Sequence, residues 1–208
     1  MAAVALALYL TFLATAFGLR TLMQYRRTGS TGFNGFTGRP GSLEWWGGVL
    51  FVVALVVGLA GPVLQLAGAV DALPVLDTTA ARVLGLVLAV AGIAGTLAAQ
   101  QTMGASWRVG VDTRETTRLV TGGTFALVRN PIYTTMITAS LGLALLAPNV
   151  VAVPGPAVLL AAIEIHVRAV EEPYLLRTHG QAYRDYAARA GRFVPGVGRL
   201  AAPGHPRP

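Results

Sequence analysis

Glu164, His166, Arg168, Glu171 and Glu172 crowd the end of a long apolar stretch, where charge is out of place. Ionisable side chains at membrane depth are costly, so they pair with one another or are kept for function. On a helix Glu164 and Arg168 stand i,i+4 and can pair, as can Arg168 and Glu172. The group is therefore either a salt-bridge ladder ending a helix at the membrane surface or the lining of a polar pocket. A second polar stretch precedes it, MGASWRVGVDTRETTRLVTGGTFALVRNPIY from Met103 to Tyr133. Gly122-Gly123 permits backbone geometries closed to other residues and close approach of a ligand. No Gly-Lys-Ser/Thr follows, so this is not a phosphate loop, and no dinucleotide fingerprint is present. With no cysteine and with His166, His179 and His205 scattered, no metal site is expected.

The elements that must carry these groups are membrane helices. Of the 208 residues 54% are hydrophobic and 12% charged, about half the charge of a soluble domain, and mean hydropathy is +0.60. Val4–Leu19, extendable past Arg20 to Met23, Leu43–Ala67 and Val83–Ala99 approach the roughly 20 apolar residues needed to span a bilayer. Trp45 and Trp46 suit an interface. The region Ile132–Val167 is too long for one helix and is broken by Pro148, Asn149, Pro154, Gly155 and Pro156. It reads as a hairpin of Ile132–Leu146 and Ala157–Val170, each roughly 21–23 Å long, short for a full crossing. Gly58, Gly61, Gly85, Gly92 and Gly95 are expected to be close-packing contacts between helices. The fold class is thus all-α: a polytopic membrane protein of five transmembrane helices, the last two a hairpin, with a C-terminal helix in the cytosol.

Charge sets the orientation. All 16 basic residues are arginines, and all but Arg82 fall in the first connection, the third connection or the tail, on one side of a five-helix topology. The positive-inside rule makes that side cytoplasmic, with the N-terminus outside, in the inner or plasma membrane. The +7 charge follows this topology rather than forming a nucleic-acid patch. Ala14-Thr15-Ala16 has the look of a signal cleavage site, but no basic region precedes the run, which favours a retained helix. In the tail, Pro173 is expected to start a new helix after Glu171-Glu172. Its apolar face comprises Leu175, Leu176, His179, Tyr183, Tyr186, Ala187 and Ala190, and serves as surface anchor or lid. Asn130 stands as N-cap before Pro131. Beyond Pro195 a flexible end is expected.

The order LVTGGTFALVRNPIY, apolar hairpin, RAVEEPYLLRTHGQAYRDYAARAGRFVP resembles the isoprenylcysteine carboxyl methyltransferase and phospholipid methyltransferase superfamily of membrane enzymes. The likeness spans Gln100 to Pro195. Where that family typically reads Gly-Pro-Tyr and Arg-His-Pro-x-Tyr, this chain has Gly123-Thr124-Phe125 and Arg129-Asn130-Pro131-Ile132-Tyr133. Asparagine keeps a hydrogen bond but cannot titrate near neutrality as histidine does. His179-Gly180 stands where Phe-Gly is common.

The resemblance implies an S-adenosylmethionine-dependent methyltransferase, a single domain over residues 1–208. Residues 1–99 would be three N-terminal membrane helices, 100–195 the cofactor-binding and catalytic part, and 196–208 the flexible tail. It places Gly123, Phe125, Val128, Arg129, Asn130, Pro131, Tyr133 and Glu171 around the cofactor. Glu171 or Glu172 would meet its ammonium, and Phe125, Val128 and Tyr133 would wall its adenine. Arg168 and Glu172 would contact or orient the acceptor, a lipid or other apolar small molecule; no metal and no nucleic acid take part. Membrane sterol reductases using NADPH share the family's fold, and a non-enzymatic helical scaffold or transporter subunit is a further reading. Transporters more often hold polar groups near the bilayer midplane, whereas these lie at one surface.

Overall fold

The computed structural model describes residues 1–31, 35, 38–104 and 119–201. Helix α1 runs Ala2–Thr28, α2 Leu43–Leu66, α3 Thr79–Met103 and α4 Pro131–Leu146. Helix α5 is Gly155–His166 and α6 Glu172–Arg189, joined by a π-helical stretch, Val167–Glu171. Among the described residues there is no strand, only an isolated parallel bridge between Val128 and Gly191. Helices α1, α2 and α3 are long and apolar enough to cross a membrane, and α4 is a shorter apolar helix. Ser42 and Thr78 start α2 and α3 by accepting from the amides of Trp45 and Ala81.

The expected small-residue contacts form the seams of the bundle. A Cβ on Gly92 would lie 2.4 Å from the Ala139 amide, and one on Gly142 would lie 2.2 Å from the Ala89 amide. The backbones of α3 and α4 therefore touch directly, as close packing in an apolar solvent requires. Gly47 receives Ile165 and Gly61 receives Ala152, which sets α5 along α2. The tip of the α4–α5 hairpin is fastened by Asn149, fully buried although it was read only as a helix breaker. Its amide donates to Gly61 O, Gln65 Oε1 and Ala147 O, and its oxygen accepts from the amides of Val151 and Ala152. Leu73 N donates to Pro148 O, so the α2–α3 connection lies against the same tip.

Two stretches depart from α-helical winding. Within α1, Ala14–Leu19 is π-helical. Such widening frees carbonyls from the ordinary ladder, and Ala16 O accepts instead from the buried Gln100 amide at 2.9 Å. The second departure lies just before Pro173, which stands in the first turn of α6 as expected, but no break precedes it: helical winding runs from Gly155 through Val167–Glu171 into α6. The wide turn shifts the hydrogen-bond register just before the proline, so its missing donor interrupts nothing. Continuity breaks instead at Gly180, whose φ of 50° and ψ of −119° are closed to side-chain-bearing residues. The kink turns the second half of α6 back over the protein, where Tyr183, Tyr186, Ala187 and Ala190 pack with Leu119, Leu175, Leu176 and Leu200. Two backbone bonds tie the segment expected to be flexible to its neighbours, although most of it is exposed. Arg192 N donates to Val197 O, and Leu200 N donates to Ala187 O.

If the α3–α4 seam has no slack, Gly142→Ala should cost about 1–3 kcal/mol through overpacking. Thermal unfolding in detergent should then shift down by several degrees. Gly18→Ala, whose new Cβ would meet its nearest atom at 4.0 Å, should leave the midpoint unchanged or raised.

Candidate active site

The two polar blocks, far apart in sequence, form one seam at the end of the bundle. The chain before α4 runs beside residues 191–193. Arg129 N donates to Gly191 O at 2.7 Å, Asn130 N to Arg192 O at 3.1 Å, and Thr134 Oγ1 to Phe193 O at 2.8 Å. Asn130 stands at the N-cap position but does not cap: its amide donates across the seam to Arg192 O at 3.1 Å. Pro131 supplies the fixed φ and absent donor suited to a first turn. Just upstream, Gly123–Ala126 forms a short 3-10 turn. A Cβ on Gly123 would meet Thr102 at the end of α3, and Phe125 and Val128 are buried. Tyr186 OH donates to Phe125 O at 2.7 Å, so the kinked half of α6 covers this turn.

Glu172 locks the seam. Its Oε1 accepts from Arg129 Nη2 at 2.7 Å and Arg192 Nε at 2.8 Å, and its Oε2 accepts from Arg192 Nη2 at 2.9 Å. Arg129, with only 1% of its side chain exposed, also donates to the carbonyls of Ala187, Ala190 and Gly198. Burial pushes the Glu172 carboxyl up, but the bonds and charges of the two arginines outweigh it and hold it below the usual carboxylate range. The same partner raises the Arg192 guanidinium above its ordinary value.

Glu171, one residue earlier, faces a different set. Tyr133 OH donates to its Oε1 at 2.7 Å, and His166 Nε2 lies 3.3 Å from the same oxygen. The Tyr133 and His166 rings meet edge to face, with centroids 6.4 Å apart. Glu171 Oε2 takes no bond from any described residue, and about a quarter of the side chain is exposed. Arg168 pairs with Glu164, as the i,i+4 spacing predicts, and its side chain is 58% exposed. Its alternative partner Glu172 is occupied by Arg129 and Arg192. Tyr133 and Glu171 thus touch directly, Arg129, Asn130 and Glu172 join in the locking network, and Arg168 is turned outward.

The phospholipid methyltransferase family model matches residues 80–182, from the start of α3 into α6. Residues 80–182 belong to the phospholipid methyltransferase family. The whole fold is similar to a structure of the eukaryotic intramembrane Ras methyltransferase, isoprenylcysteine carboxyl methyltransferase. The TM-score is 0.63 at 21% identity, covering 93% of this chain and 67% of that one. No curated protein matches the chain in sequence. The resemblance seen in the motif blocks is therefore borne out over residues 80–182, and its apolar helices make the chain an integral membrane protein. The matched stretch contains Tyr133, His166, Glu171 and Glu172, and ends before Arg192.

Two residues of this cluster are given no role by the sequence, although His166 belongs to the polar group noted there. Arg192 completes the carboxylate lock from beyond the tail helix, and only its place in the second block hinted at it. His166 lies five positions before Glu171, a spacing that an α-helix puts on different faces. The π-helical turn brings the two together. Arg108, Arg114 and Arg118, counted toward the cytoplasmic side, lie outside the described residues, as do residues 202–208.

Glu172→Gln should cost roughly 3–5 kcal/mol, because two arginines then lose a buried partner charge. Since the folded-state carboxyl titrates below its unfolded value, its stabilisation is full above the unfolded value near 4.3 and fades as pH falls through the lower folded one. Thermal midpoints of wild type and variant should therefore differ most near neutrality and converge on acidification below about pH 4.

Proposed function

We propose that this chain transfers a methyl group from S-adenosylmethionine to a lipophilic acceptor at the cytosolic face of the membrane. The observation that carries the reading is the Tyr133–Glu171 contact, which unites the two motif blocks and leaves one carboxylate oxygen uncommitted. The cofactor supplies an electrophilic methyl carbon and its own leaving group, so the protein's task is binding and orientation.

Glu171 Oε2 receives the ammonium of the cofactor's methionyl end, and Tyr133 fixes the carboxylate by occupying Oε1. The Tyr133 ring offers a favourable face to a sulfonium nearby. Phe125 and Val128 wall the adenine, and Gly123 allows the backbone to approach it. Arg129, Asn130 and Pro131 act on the cofactor by holding this wall against residues 191–193. Glu172 orients the acceptor side indirectly, through Arg129 and Arg192. Arg168, exposed beside Glu164, is the residue to meet the acceptor's head group. The α4–α5 hairpin completes five membrane helices in one domain over residues 1–208, with the N-terminus outside and α6 in the cytosol; the distribution of the arginines supports this orientation.

Calorimetric titration of purified protein with S-adenosylhomocysteine tests the placement. Glu171→Gln and Tyr133→Phe should each weaken binding about tenfold or more, the loss of one charged or charge-assisted contact. Wild type should gain thermal stability with S-adenosylhomocysteine and none with NADPH. Arg168→Ala should slow turnover with cofactor affinity kept. Unchanged affinity in both the Glu171 and Tyr133 variants would refute the site.

A further inference from the structure

His166 is the one histidine that meets the Tyr133–Glu171 pair among the described residues, and its place there follows from the π-helical turn. Its Nε2 lies 3.3 Å from Glu171 Oε1, while Nδ1 takes no bond from any described residue and the side chain is 19% exposed. Glu171 faces it from its own helix and Tyr133 from α4, and Gly47 of α2 lies against its backbone. Glu164 and Arg168 are engaged with each other. A carboxylate that holds one imidazole nitrogen as N–H leaves the other with a free lone pair, and then stabilises the imidazolium once a proton arrives. Tyr133, donating to the same oxygen, keeps that carboxylate from turning away.

We propose that His166 Nδ1 takes the proton of the methyl acceptor, and that the acceptor is a protic nucleophile, an amine, hydroxyl or thiol, rather than a carboxylate. This rests on the methyl-transfer reading above. The acceptor heteroatom forms a bond to the methyl carbon as the carbon–sulfur bond breaks, and that electron pair returns to sulfur as a neutral thioether. The proton on the acceptor heteroatom passes to Nδ1, giving an imidazolium paired with Glu171, and then to water. A carboxylate acceptor has no proton to lose and would meet the charge of Glu171. Position 130, where the family often has histidine, is asparagine here and is spent on Arg192 O, so His166 is the imidazole that stands beside Tyr133 and Glu171.

The full-length protein in detergent, with hexadecylamine, hexadecanol, hexadecanethiol and palmitic acid as acceptor probes, tests this. Wild type should methylate at least one of the three protic probes and leave palmitic acid unmodified. His166→Gln should slow that turnover about 100-fold or more, abolish the rise of kcat with pH, and bind S-adenosylhomocysteine within about threefold of wild type, and added imidazole should restore part of the rate. Independently of turnover, nitrogen-15 NMR of labelled histidine, assigned by loss of the signal in His166→Gln, should show the neutral ring protonated at Nε2 with Nδ1 bare. Three results overturn the proposal while leaving methyl transfer standing: preferential methylation of palmitic acid, His166→Gln with unchanged kcat and pH profile, or a neutral ring protonated at Nδ1. Loss of S-adenosylhomocysteine binding in His166→Gln also overturns it, by making His166 a cofactor ligand. Failure of wild type to bind S-adenosylhomocysteine at all instead defeats the underlying methyltransferase reading.

Discussion

A carboxylate held between two guanidinium groups is the constraint on which the site depends. Glu172 ties Arg129, just before α4, to Arg192, beyond α6. Burying three charges costs several kcal/mol per ion unless each finds partners. Here both carboxylate oxygens are engaged, and Arg129 Nη1 and Nη2 also donate to backbone carbonyls at three places in the tail. The network therefore specifies where the tail lies more than it adds to stability. With Glu172 fixed toward the tail, the preceding Glu171 is forced to the opposite side of the turn, toward α4 and His166. Two adjacent identical residues thereby acquire separate environments from one piece of helical geometry.

Much of this was legible in the chain. Apolar runs marked α2 and α3 to within four residues at each end, α1 runs on past its apolar stretch to Thr28, and the prolines and Asn149 marked the hairpin. Of the glycines expected to be packing contacts, Gly85, Gly92 and Gly95 lie where α3 meets α4, Gly61 meets Ala152 at the hairpin tip and Gly58 meets Tyr9 of α1, while Gly47 and Gly142 carry no such signal in the sequence. The pairing of Arg168 with Glu164 followed from helical spacing alone. What could not be read was winding that leaves the α period. A reading with 3.6 residues per turn joins Glu164 to Arg168 but separates His166 from Glu171, so the histidine could be placed in the polar group but not against its partner. Pro173 does stand in the first turn of α6, but the wide turn that carries the winding into it from α5 could not be read. Long-range partners were also hidden. Nothing local says that the Asn130 side chain reaches Arg192, or that Leu200 packs on α6.

The site is made of short segments leaning on helices rather than of the helices themselves. Phe125 and Val128 are buried under the kinked half of α6, and Tyr186 reaches the Phe125 carbonyl. Gly180 supplies the bend that brings this cover into place. In this fold the apolar bundle serves as a rigid plinth, and the chemistry is set by how the tail is folded back on it.

The two ends of the hairpin are secured by unlike forces. At the tip, Asn149 binds neutral partners, Gln65 and backbone carbonyls, in a setting where added ions or a change of acidity alter nothing. At the base, the seam is held by formal charges, one of which a fall in pH can neutralise. The molecule thus has a permanent hinge-pin at one end and an acid-sensitive latch at the other. Amide hydrogen exchange along α4 should therefore be slowest beside Asn149 and quicken toward Pro131.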